Sequence, residues 1–295
     1  MSTTNRRRLF CFGLGYSAQA LARRLMDAGW EVAGTCRGET GLATLSALGI
    51  KAYAFDRDRP LANLEEALAG TTHLLGGIPP DETGDSVLAR HDEALAALAP
   101  SLTWVGYLST TGVYGNTGGA WVDETTPARP TGARQARRVE AEWRWLRLQA
   151  DHGLPVHVFR LAGIYGPGRS ALDTVRAGTA KRIDLPHHVF CRIHVDDIAT
   201  VLQASMARPR PGAIYNVCDN LPAPAAEVIS HACALLGTPP PPLTPLSDAA
   251  LSPMAASFYR DNRRVRNDRI KDELGVTLAF PDYRSGLAAI LAASA

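Results

Sequence analysis

Residues 11–20 read Cys-Phe-Gly-Leu-Gly-Tyr-Ser-Ala-Gln-Ala, and the run Gly13-Leu14-Gly15-Tyr16-Ser17-Ala18 is a G-x-G-x-x-A pattern. Small residues let a backbone approach a pyrophosphate, and a helix opening there supplies amides and the positive end of its dipole. A lone G-x-G-x-x-A also suits any tight strand-to-helix turn; here an apolar run precedes it and helical spacing follows it. The next such stretch is Gly34-Thr35-Cys36-Arg37, closing a second apolar run. An acid there would hold the ribose hydroxyls of NAD, whereas an arginine suits the 2′-phosphate of NADP. No acid stands before Glu39, so Arg37 favours NADP over NAD, a solvated arginine being the plain alternative. Asp56, after a third run, is placed to accept from an adenine amino group or to cap a helix.

Other constellations read more plainly. His187, His188, Cys191 and His194 lie close together, but positions three apart in an extended segment point to opposite faces, so no metal site is expected. Asp196 and Asp197 read as a capped helix start, paired carboxylates being the alternative. Neither Ser17 in GYSAQ nor Ser109 in GYLST sits in a G-x-S-x-G nucleophile elbow. Arg263, Arg264, Arg266 and Arg269 alternate with Asp261, Asp268 and Asp272, the pattern of a solvated helix face; binding a substrate phosphate is the alternative. Trp143 and Trp145, two apart on a helical run, face different sides, one toward core and the other toward an interface. The 5 cysteines include no C-x-x-C pair, which suits reduced thiols in a cytoplasmic protein.

The elements that must position these residues alternate. RLFCFGL, WEVAGTC, IKAYAF, THLLGGI, LTWVGYLS and PVHVFRLAG read as strands, with helical spacing between successive runs, ending in the long RQARRVEAEWRWLRLQADHG. Strands that are apolar throughout and separated by helices predict an α/β fold, a doubly wound parallel sheet of Rossmann type covered on both faces. The alternation loosens after about residue 166. The expected division is a dinucleotide-binding domain of residues 1–166 and 191–218, and a smaller, interrupted C-terminal subdomain of 167–190 and 219–295. Cofactor and substrate are expected in the cleft between them. The stretch TPPPPLTPLSDAALSP makes a stiff surface connection.

Composition agrees with a soluble enzyme-sized protein. In 295 residues, 46% are hydrophobic and 20% charged, which excludes a disordered chain. Net charge is +2, too balanced for a dedicated nucleic-acid or membrane-surface binder. Arg6-Arg7-Arg8 before LFCFGLGYSAQALA imitates an export signal, but glycines interrupt the apolar run and cleavage would remove the first strand. No apolar stretch reaches the ~18 residues of a membrane span.

At YLSTTGVYG (107–115), FRLAGIYGPGRS (159–170), RIHVDDIA (192–199) and AIYNVCD (213–219) the chain resembles the extended short-chain dehydrogenase/reductase family, the NAD-dependent epimerases and dehydratases. IPPDETGD after the fourth strand and RRVRNDRIKDELG resemble its atypical YeeZ-like branch. The resemblance implies that Thr110 is the active-site hydroxyl and that Ile78, Leu161 and Gly163 join the cofactor-binding set. It further implies a small-molecule substrate, a nucleotide sugar among the classes, and a homodimer through the long helices. The family's proton donor is a tyrosine four residues before a lysine, which lowers the tyrosine pKa and holds the nicotinamide ribose. Here only Lys51, Lys181 and Lys271 exist, and the residues four before them are Ala47, Ala177 and Asn267. Anchoring the long helix on RRVEAE, with Glu142 at the family's acidic position, puts Arg138 at the lysine position and Arg134 at the tyrosine position. Arg138 can keep the charge and bind a ribose or phosphate, whereas a guanidinium at Arg134 cannot shuttle a proton. Thr111-Gly112 stand where a dehydratase would carry Asp-Glu. The expectation is an atypical NADP(H)-dependent oxidoreductase or epimerase-like enzyme; a non-catalytic NADP(H) sensor or regulatory module is the alternative.

Overall fold

The computed structural model describes residues 7–294, so the leader-like arginine run begins outside the described residues, at Arg6. Two compact units divide the chain. The first runs to Thr110 and adds Ala136–Arg160 and Ala199–Tyr215; the second comprises Thr111–Gln135, Leu161–Ile198 and the chain from Asn216.

The first unit is built on β1 (Arg8–Phe12), α1 (Tyr16–Asp27), β2 (Glu31–Cys36), α2 (Gly38–Ala47), β3 (Lys51–Ala54), α3 (Leu64–Leu68), β4 (His73–Gly76), α4 (Leu88–Ala97) and β5 (Trp104–Thr110), and on parts of α5 (Ala133–His152), β6 (Val156–Leu161) and β7 (Ile214–Val217), each of which ends or begins in the second unit. These strands form one 7-stranded sheet in the order β3-β2-β1-β4-β5-β6-β7, and β1 to β5 pair in parallel. The order reverses between β1 and β4, the switch point where an open α/β sheet binds its ligand. All of β1 is buried, its side chains alternating between the two faces. Phe10 and Phe12 join Phe55, Leu74, Val105, Tyr107 and Trp145 in one core. Each such ring contributes about 1.5–3 kcal/mol by leaving water. On the other face Trp104 donates from Nε1 to Ser205 Oγ at 3.0 Å and stacks on His157.

Arg8 belongs to this framework. It is buried in β1, pairs with Glu31 at 2.9 Å, and donates to the Ala67 and Ala69 carbonyls and the Thr71 hydroxyl.

The second unit packs the helices Ala171–Arg176, Ala225–Leu235 and Tyr283–Ala292 around Tyr165, Leu172, Val228, Tyr283 and Leu287. Its strands are short ladders: Gly163–Tyr165 with Arg192–His194, Arg182–Ile183 with Leu243–Thr244, and Trp121–Val122 with Arg264–Val265. The basic cluster therefore differs from the solvated helix that its charge pattern predicts. Asp261 is buried, accepting from Thr131 Oγ1 at 2.7 Å with Arg263 at 3.7 Å, and helix spans only Asp268–Asp272. Buried Val265 and Ile270 override the charge periodicity. No helix of the described residues is long and apolar enough to cross a membrane.

Candidate active site

The glycine turn leaves β1 at the sheet's switch point. Gly13 has φ +87°, a conformation that glycine adopts without strain, and a Cβ there would lie 2.8 Å from Ile78 Cγ1. Its bare backbone thus lets the turn close on the end of β4, where Gly77 N donates to Phe12 O at 2.8 Å. Thr35 of β2, fully buried, holds the other side: its Oγ1 accepts from Gly13 N at 2.9 Å and its carbonyl from Leu14 N at 2.8 Å. Gly15 is the N-cap of α1 and brings no capping side chain; a Cβ on it would meet nothing within 4 Å. Tyr16, Ser17 and Ala18 form the first turn of α1, which carries no acidic residue. An uncapped helix start with open space before it fits a dinucleotide pyrophosphate.

Arg37 follows β2 directly, as the exposed N-cap residue of α2 with extended backbone. Asp56 closes a turn, its Oδ1 accepting from Asp58 N at 3.0 Å and Arg59 N at 2.9 Å, with Oδ2 4.0 Å from Arg59 Nε. One of its oxygens is therefore committed to the local backbone.

On α5, Arg138, Glu142 and Trp145 recur at helical spacing and all meet the sheet. Arg138 Nη1 donates to Tyr107 Oη and to Leu108 O, both at 3.0 Å. Glu142 is buried, accepts from the Ser109 hydroxyl, and receives Arg160 through Nη2 at 2.8 Å and Nε at 3.1 Å. This network fixes the residue before Thr110, which ends β5 half-buried. Tyr107 is fully buried, and burial pushes its hydroxyl far above the ordinary tyrosine range, so it does not replace the missing acid. In the second unit Arg134 is exposed, its guanidinium 5.0 Å over the Phe258 ring.

Leu161 ends β6, and Gly163 N donates to Cys191 O at 3.0 Å. The second unit also holds a cavity of about 480 Å³, lined by residues that include Tyr165, Lys181, Arg192, Tyr259 and Tyr283. Arg192 donates to Phe190 O and Ala223 O; beside it, burial pushes the Asp219 carboxyl up to about 8 against the pull of that guanidinium. The clustered histidines have separate neighbours. His188 packs on Phe190 and Tyr259, and His194 on Tyr165 and Phe280. Asp197 accepts from the amides of Ala279 and Phe280, clamping a distant loop rather than capping its own helix.

Sequence reasoning did not single out Thr35. Its signal is a polar side chain in an otherwise apolar strand, two residues before Arg37.

A sequence profile of the NAD dependent epimerase/dehydratase family matches residues 13–218. Protein YeeZ of Escherichia coli (strain K12) is 30% identical over 282 residues, covering 92% of this chain and 95% of that protein. A functionally unknown conserved protein from Silicibacter pomeroyi DSS has a solved structure with 50% identity and a TM-score of 0.90, covering 97% of this chain and 99% of that one. The dTDP-glucose 4,6-dehydratase of Bacillus anthracis str. Ames, solved in complex with NAD, is alike in fold. Its TM-score is 0.79 at 16% identity, covering 97% of this chain and 96% of that one.

Proposed function

The chain belongs to the NAD-dependent epimerase/dehydratase family, and from that membership we propose an NADP(H)-dependent oxidoreductase or epimerase-like enzyme that works without a Tyr-x-x-x-Lys pair. The observation carrying this reading is the turn itself: Gly13 held by Thr35 and Ile78, and Gly15 open at an uncapped helix start. Gly13, Gly15, Tyr16, Ser17 and Ala18 would hold the pyrophosphate and Arg37 the 2′-phosphate. Ile78 and Asp56 would flank the adenosine, and Leu161 and Gly163 would border the nicotinamide. When bound, the dinucleotide gives or takes a hydride.

Thr110 would donate a hydrogen bond to a substrate carbonyl or accept one from a hydroxyl. Arg138 would keep a fixed positive charge near the end of β5, braced by Tyr107. A guanidinium is not a proton shuttle, so the proton would come from the substrate, a water or another side chain. The cavity around Arg192 and Lys181, with its tyrosine rings, suits a substrate with anionic and planar parts, as a nucleotide sugar has. Trp143, 57% exposed on α5, supports self-association through that helix, and the free thiols suit a reducing cytoplasm.

Fluorescence titration of NADPH and NADH tests the cofactor reading. NADPH binds more tightly, and Arg37→Asp weakens it at least about tenfold while sparing NADH; failure of both dinucleotides to bind overturns the proposal. Single-turnover oxidation of NADPH across sugar nucleotides and small carbonyls then tests catalysis. Arg134 at the tyrosine position favours a second reading, a sensor, for which tight binding without turnover on any substrate is the expected result.

A further inference from the structure

Two cysteines of the second unit meet at the backbone of one residue. Cys191 precedes the strand Arg192–His194 and Cys218 follows β7. Val265 N donates to Cys191 Sγ at 3.3 Å, and Cys218 Sγ donates to Val265 O at 3.3 Å. Both thiols therefore lie against the backbone of that single residue. Asp219 N donates to Arg192 O at 2.6 Å, tying together the residues that follow them. Two sulfurs held on one residue's backbone are placed to close the ~2.05 Å of an S–S bond once they leave it. Their surroundings differ: Cys218 is fully buried, whereas Cys191 is half-buried beside the guanidinium groups of Arg263 and Arg192. The adjoining Cys218 thiol, the Val265 amide and those two charges hold the Cys191 thiol below its ordinary range, while the neighbouring Cys191 and burial push Cys218 up.

We propose that Cys191 and Cys218 are an oxidisable dithiol, a modification site for hydroperoxides that closes into an intramolecular disulfide. In the first step the Cys191 thiolate attacks a peroxide oxygen. An S–O bond forms, the O–O bond breaks, and the departing hydroxide takes a proton and leaves as water. Cys191 is oxidised to a sulfenic acid and the peroxide is reduced. In the second, Cys218 gives up its proton and attacks the Cys191 sulfur. The S–S bond forms, the S–O bond breaks, and hydroxide leaves with that proton as a second water. Two thiols and one hydrogen peroxide give one disulfide and two waters. Closure draws both sulfurs off Val265, whose strand pairs Arg264 with Trp121 and Val265 with Val122. The other cysteines are not built this way: Cys11 and Cys233 are fully buried, and Cys36 is half-buried at the end of β2. The dithiol lies within the second unit and does not require the cofactor reading.

The full chain is treated with hydrogen peroxide, denatured, alkylated, and analysed by intact mass and non-reduced peptide mapping. The expected product has lost about 2 Da. It leaves two of the 5 cysteines protected from alkylation, shows one peptide pair linked through Cys191 and Cys218, and reverts with dithiothreitol. Hydrogen exchange at residues 121–122 and 264–265 rises on oxidation. Cys218→Ser stops at oxygen addition on Cys191, a gain of about 16 Da, and Cys36→Ser reacts like wild type. The proposal is overturned if wild type gains oxygen at Cys191 with Cys218 still alkylatable, or if the linked peptides contain another pair. Persistence of the 2 Da loss in Cys191→Ser overturns it too; should that variant not fold, the wild-type peptide map decides.

Discussion

Gly15 and Thr35 serve the glycine turn in opposite ways, one by leaving space and the other by filling it with a hydrogen bond. Gly15 has φ −82° and ψ −169°, which any residue can adopt, and its Cβ would point into open space. Serine is a better N-cap than glycine, so Gly15→Ser keeps or slightly raises thermal stability. Its side chain nevertheless occupies the room proposed for phosphate and competes for the amides that would bind it. NADPH affinity is therefore expected to fall about tenfold or more while the melting temperature does not; unchanged affinity would remove the pyrophosphate from this turn. Thr35→Val keeps the volume but removes the acceptor of the Gly13 amide. It is expected to cost about 1 kcal/mol, roughly fivefold in NADPH affinity, with recovery in Thr35→Ser. The glycines were legible because their spacing is local. Thr35 was not, because its partner lies 22 residues away and a threonine in a strand also satisfies β-propensity alone.

Helix α5 shows what periodicity reveals about an element and what it hides. Its inward stripe of Arg138, Glu142 and Trp145 follows from 3.6 residues per turn. The separation of buried Trp145 from exposed Trp143 follows from the same spacing. That β1 to β6 are strands was also readable, since a sheet covered on both faces demands side chains that are apolar throughout. The second unit's ladders were not, because two or three residues carry no period, and the Arg264–Val265 strand hid in a charged run. Nor does spacing reveal that Glu142 pairs with Arg160 out of water. A broken pair leaves one buried charge without its counterpart, which outweighs the modest gain of forming the pair. Glu142→Gln is therefore expected to cost about 3 kcal/mol in urea denaturation, whereas Glu142→Met with Arg160→Met costs clearly less. Equal losses in the single and double variants would mean that packing, not charge, dominates at the site. Because Ser109 donates to Glu142 one residue before Thr110, Glu142→Gln should also lower any turnover that depends on Thr110.

Across the whole molecule, buried titratable groups give the two units opposite responses to pH. In the first unit His157 lies between fixed partners: a carbonyl can only accept, so Nδ1 donates to Val105 O, and an amide can only donate, so Nε2 accepts from Arg210 N at 2.7 Å. A second ring proton would face a donor. Burial lowers His157 to about 4, and burial with the nearby Arg7 charge lowers His73 to about 4, from an ordinary 6.5. The unfolded chain therefore takes up protons between pH 6.5 and 4 that the folded unit refuses. Their stabilising contribution is complete above that window and is lost as pH falls through it, on the order of 3 kcal/mol per histidine. Asp219 in the second unit works the other way. With its folded pKa raised from 3.8 to about 8, it keeps a proton that the unfolded chain releases, so rising pH across that range destabilises its unit. Hydrogen exchange corrected for intrinsic rates, followed separately in β1 and in the helix Tyr283–Ala292, should therefore show acid weakening the first. The helix should lose protection as pH rises from 5 to 8, and Asp219→Asn should flatten that loss. His157→Gln, which can donate and accept in the same places without titrating, should remove part of the acid loss in β1. If that variant retained the whole loss, the acid response of the sheet would have to originate elsewhere.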